Sequence, residues 1–103
     1  MSTVLQSEIA ARHAEIAAIC THLGVRRLYF FGSGTRSASP RDLDFLVDLG
    51  DRPVDEHVRA YFALLERLQA LFALPVDVVT PSGLANPYVR RRVEQEKALL
   101  YAA

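Results

Sequence analysis

From Leu5 to Leu23 the apolar residues Leu5, Ile9, Ile16, Ile19 and Leu23 recur at helical spacing, and Gly24 follows as a stop, which predicts a first helix. Arg26 to Phe31 is a compact block containing Leu28, Tyr29, Phe30 and Phe31, short and aromatic enough for a buried strand that ends at Gly32. The segment GSGTRSASPRD is too rich in small residues, Gly and Pro for a long regular element, although Thr35 to Ala38 can form one helical turn. Asp42 to Asp48 then alternates, with Leu43, Phe45 and Val47 on one side and Asp42, Asp44, Leu46 and Asp48 on the other. It predicts a second strand with an acidic face. Val54, Val58, Tyr61, Phe62, Leu65, Leu68 and Phe72 give a helical stripe behind Pro53. PVDVVT, closed by Pro81, predicts a third strand carrying Asp77 among valines. From Asn86 onward the pattern predicts a last helix, with Val89, Val93 and Leu100 on one side and Arg90, Arg91 and Arg92 near its start.

The order helix, strand, strand, helix, strand, helix suits an α/β (α+β) fold, a small sheet covered by helices mainly on one face, with the other face free for chemistry. A chain of 103 residues is expected to form one domain spanning residues 1–103. Half of it is apolar, so it can build a core and is not expected to be disordered. Twelve basic side chains balance twelve acidic ones, so no overall field draws the chain to nucleic acid or to an anionic membrane. The adjacent Arg90, Arg91 and Arg92 point in different directions around a helix and read as a solvated or partner-facing end. A single cysteine, Cys20, excludes an internal disulfide framework. The charges scattered through the first sixteen residues fit neither a signal peptide nor a membrane span, so a cytoplasmic location is expected. His13, His22 and His57 lack zinc-site spacing and are read as surface or boundary residues. Leu99, Leu100 and Tyr101 are read as core packing in preference to partner-facing surface.

Residues two apart on a strand share a face, which sets Asp42 and Asp44 side by side. Like charges so placed repel unless a cation intervenes, and magnesium, which takes oxygen ligands from a few carboxylates and substrate phosphates, is the natural candidate. If the second and third strands are neighbours, Asp77 joins them, and three acids can serve a pair of metals about 3.5–4 Å apart, as used for in-line displacement at phosphorus. The alternative for Asp42 and Asp44 is a pair of solvated strand acids, and for Asp77 an edge charge that discourages aggregation. Upstream, the Gly32-Ser33-Gly34 turn after a strand can offer backbone N–H groups to phosphate oxygens, with the Ser33 hydroxyl and the Arg36 guanidinium in support. A plain tight turn, and an ion-pair role for Arg36, are the alternatives.

Gly32-Ser33, Arg36 and Asp42-Leu43-Asp44-Phe45 resemble the GS-x-x-R … D-x-D signature of DNA polymerase β-type nucleotidyltransferases, and the size resembles the minimal (MNT-type) members. The resemblance runs from Leu28 to Asp77. It implies a polymerase β-type fold with a short mixed sheet, transfer of a nucleoside monophosphate to a hydroxyl, and Mg²⁺ held by Asp42, Asp44 and Asp77. It further implies ATP as substrate and an antitoxin paired with a HEPN-type ribonuclease toxin, a tyrosine of which receives AMP, with an oligomer formed with that partner. Ser37 stands where relatives commonly have Gly, and Arg41 where they commonly have Ser. Neither departure removes a metal ligand, but both bear on turnover and substrate choice. The alternative in a different class is a non-catalytic antitoxin that neutralises its toxin by direct binding.

Overall fold

The computed structural model describes residues 9–31, 43–81 and 86–103. A helical turn at residues 9–11 is separated by Arg12, whose backbone (φ −102°, ψ 16°) is not helical, from α1 (His13–Leu23). The predicted first helix is therefore interrupted, and its expected start at Leu5 lies outside the described residues. Strand β1 (Arg27–Phe31), β2 (Leu43–Asp48), α2 (Val54–Phe72), β3 (Val76–Val79), α3 (Pro87–Glu96) and β4 (Ala98–Ala102) follow.

The sheet has the order β3-β2-β1-β4. β1 is antiparallel to both β2 and β4, and β2 is parallel to β3, so the sheet is mixed. A parallel pair needs a crossover, and α2 supplies it between β2 and β3.

On one face Leu28 and Phe30 of β1, Leu43, Phe45 and Val47 of β2, and Val76 and Val78 of β3 form a core with Ile16 and Cys20 of α1 and Ala60, Leu64 and Leu68 of α2. The rings of Phe30, Phe45 and Phe72 lie in sequence through it, with centroids 5.4 and 6.2 Å apart. At one end Arg52 ties α1 to the β2–α2 connection: Nε donates to the Leu49 carbonyl (2.9 Å), Nη1 to that of Leu23 (3.1 Å) and Nη2 to that of Gly24 (2.6 Å). A fixed cation there satisfies carbonyls that a helix C-terminus leaves open. Gly24 closes the helix at φ 70°, a conformation glycine adopts without penalty.

Three features depart from the sequence reading. The residues after Glu96 leave the helix and form β4, so Leu100 is a strand residue. The register with β1 shifts between Leu28 and Tyr29, opposite Tyr101 and Leu99, which leaves Leu100 as an extra residue. This bulge lets the consecutive Leu100 and Tyr101 both pack against the helix-side core.

Secondly, α2 is turned relative to the expected stripe: Leu68, Tyr61, Leu65 and Phe72 of it pack on the core, but its other members do not. Ala60, Leu64 and Leu68 are buried, whereas Val54, Val58 and Phe62 are 79%, 47% and 54% exposed. The helix carries two neighbouring apolar arcs, and the sheet takes the one that contains Ala60, Leu64 and Leu68.

Thirdly, the second face of the sheet is not bare. Val93 of α3 is buried against Phe31 and Leu46, flanked by Tyr29 and Val79.

Candidate active site

That second face carries the acids. In the parallel pairing of β2 and β3, Asp44 lies directly opposite Asp77, in a run that matches Leu43 with Val76 and Phe45 with Val78. Because the flanking partners on both strands point into the helix-side core, alternation turns the two aspartates to the other face together, their Cα atoms about 4.8 Å apart. Asp44 is partly exposed and Asp77 exposed, so both carboxylates stand where a ligand can reach them. Across β1, Asp44 is also in register with Phe31, whose buried ring gives the pair an apolar wall.

Two carboxylates at that spacing repel, and a hard divalent cation relieves the repulsion. The donors are oxygens only, which fits magnesium. Asp42, two residues before Asp44, lies outside the described residues, as do Gly32, Ser33 and Arg36 together with Ser37 and Arg41. The described ends on either side of them, Phe31 at the end of β1 and Leu43 at the start of β2, flank the acid pair. Among the described residues alone, no group of three His, Cys, Asp or Glu side chains could hold a metal.

His13 and His22 are exposed and His57 is half-buried; His13 Nε2 lies 3.0 Å from the Leu100 carbonyl, a contact between α1 and β4. Arg90 and Arg91 are exposed, and Arg90 pairs with Glu94 at 3.7 Å. Among the described residues, no helix is long and apolar enough to cross a membrane. A groove of about 500 Å³ between α2 and β3, lined by His57, Val58, Tyr61, Phe62, Val78, Val79 and Thr80, contains no carboxylate and opens on the helix side of the sheet. It is not where the acids meet.

The sequence reading did not single out two residues on the acids' face of the sheet, Tyr29 and Lys97. The Lys97 ammonium lies over the Tyr29 ring, 5.1 Å from its centroid. Tyr29 could have been placed by its two-residue offset from Phe31. Lys97 could not, because its position follows from the pairing of β4 with β1.

Residues 14–100 match the nucleotidyltransferase domain family. The chain belongs to that family.

Within it, the protein is 28% identical over 91 residues to a Methanocaldococcus jannaschii protein classed as a protein adenylyltransferase, covering 86% of this chain and 88% of the relative. A solved minimal nucleotidyltransferase superposes with a TM-score of 0.61 at 29% identity, over 89% of this nucleotidyltransferase domain and 92% of the other. The same fold occurs in a complex of a tri-AMPylated Shewanella oneidensis HEPN toxin with its MNT antitoxin, where the matched chain gives a TM-score of 0.65 at 18% identity, over 92% of this chain and 73% of that one. The expected polymerase β-type, mixed-sheet fold is thus the observed one.

Proposed function

We propose that this nucleotidyltransferase is an antitoxin that transfers AMP from ATP to a tyrosine hydroxyl of a HEPN-type toxin. The observation that carries the proposal is the register of Asp44 with Asp77 on an accessible face of the sheet. Supporting it are the family match, relatives classed as protein adenylyltransferases, and a structural neighbour that is an MNT antitoxin complexed with an AMPylated toxin.

In this reading Asp42 and Asp44 hold Mg²⁺, with Asp77 completing the set. Bound there, the cation would neutralise phosphate charge and make the attacking hydroxyl more acidic. Gly32 and Ser33 offer N–H and O–H donors to phosphate oxygens, and Arg36 a positive charge. Asp77, on the outer strand, orients the acceptor hydroxyl and draws its proton. The acceptor oxygen bonds to the α-phosphorus, the bond to the β-phosphate bridge breaks, and pyrophosphate leaves.

The test is intact mass spectrometry of the partner toxin after incubation with this protein, ATP and Mg²⁺. Wild type is expected to add AMP units, and Asp44→Asn to reduce the rate by at least about a hundredfold, the scale of losing one charge-stabilising group. Asp77→Asn is expected to slow transfer while leaving the thermal midpoint unchanged or higher, since it relieves like-charge repulsion. Undiminished transfer by Asp44→Asn would overturn the assignment. The exposed stripe Val54, Val58 and Phe62 favours a second reading, neutralisation by direct binding. Neutralisation without any AMP adduct, retained by Asp44→Asn, would establish that one.

A further inference from the structure

Asp77 and Asp44 form one end of a row that runs across β3, β2 and β1. Asp44 is opposite Phe31, and Lys97 immediately precedes Ala98, the β4 residue paired with Phe30. Cross-strand partners share a face, so Asp77, Asp44 and Phe31 lie in sequence on the acid side of β3, β2 and β1, and the Lys97 ammonium lies on the same side over the Tyr29 ring. Lys97 leads into β4, which is two strand spacings, about 10 Å, from β2. Its N–H still donates to the Val93 carbonyl (2.9 Å), which anchors the residue at the end of α3.

The charges across this face are therefore polarised, carboxylates at one side and an ammonium at the other, with the apolar Phe31 between. A magnesium-bound nucleoside triphosphate has the complementary pattern, since its cation needs carboxylates and its outer phosphates need a cation. Arg27, on this face, is at the far end of β1 and lies 4.0 Å from Asp48, and Arg90 of α3 pairs with Glu94 at 3.7 Å. Lys97 is exposed, and its ammonium rests on an aromatic face, a weak contact that a phosphate can replace.

We propose that Lys97, parked on Tyr29, swings toward the acids and binds the β- and γ-phosphates of the nucleoside triphosphate. This rests on the nucleotidyltransferase reading above and adds the residue that neutralises the departing pyrophosphate. No bond to Lys97 forms or breaks; it supplies hydrogen bonds and charge as the negative charge grows on the leaving group. Tyr29 is a positioning residue that holds the ammonium between ligands.

The experiment measures binding of ATP and of AMP, each with Mg²⁺, to wild type and to Lys97→Met and Lys97→Arg. Lys97→Met is expected to weaken ATP about tenfold or more, the scale of one charge-assisted hydrogen bond, and to leave AMP unchanged. Lys97→Arg should retain most of the ATP affinity, and all three proteins should melt at the same temperature because the side chain is exposed. Equal ATP affinity in Lys97→Met and wild type, or an equal loss for ATP and AMP, would overturn the role of Lys97 while leaving the nucleotidyltransferase reading intact. Failure of wild type to bind ATP would overturn both.

Discussion

Cys20 is enclosed by the helix-side core, and burial pushes its thiol up from 9.0 to about 11. The raised value favours the neutral thiol in the folded state. Below pH 9 the thiol is protonated whether folded or not, so it contributes no pH dependence. Between 9.0 and about 11 the unfolded chain releases a proton that the native state keeps, so the native state loses stability as pH rises. The difference in stability between wild type and Cys20→Ala, followed by denaturant titration, is expected to shift against wild type through that window and to stay flat below it. A thiol-specific reagent at pH 8 should modify Cys20 only after unfolding. At the same scale, Asp44 and Asp77 were legible in the sequence because an acid among strand apolar residues stands out. Their direct opposition was not, since it depends on β2 and β3 being adjacent and parallel.

Among the elements, α2 shows how far periodicity reaches. Its ends, Val54 and Phe72, are those expected from the pattern, yet the pattern alone could not say which of two apolar arcs faces the sheet. Leu64→Ala removes a fully buried side chain and is expected to cost about 2–5 kcal/mol. Phe62→Ser, on the exposed arc, is expected to change stability by less than about 0.5 kcal/mol. Urea unfolding of the two variants distinguishes the arcs; equal losses would mean that the helix is rotated from the orientation described here. The Tyr61 hydroxyl lies between them and donates to the Val78 carbonyl at 2.6 Å, which ties the helix to β3. Strand β4 escaped prediction for a different reason. Ala98-Leu99-Leu100 continues naturally from a helix by propensity, and only pairing with β1 makes it a strand.

For the molecule as a whole, the fold class, three of the four strands and the helix-side core could be read from the chain, because hydrophobic alternation and turn residues are local signals. The cover that α3 places on the acid face, and the row from Asp77 to Phe31 with Lys97 on the same side, arise from long-range pairing and could not. Balanced charge removes a global field, so under the proposed function recognition would fall to the local placement of charge across the sheet. That placement has a mechanical side. Asp44 belongs to an interior strand hydrogen-bonded on both flanks, whereas Asp77 belongs to the rim. Rim strands open more readily than interior ones, so transient fraying of β3 would part the carboxylates without unfolding the protein. A cation held by both would act as a latch on that motion. Amide exchange in β3 is expected to slow on adding Mg²⁺ and ATP, more than in β1, and to show no such slowing in Asp77→Asn. Under the proposed function, the chemistry and the stiffness of the sheet's edge would then be one property, switched on by the substrate.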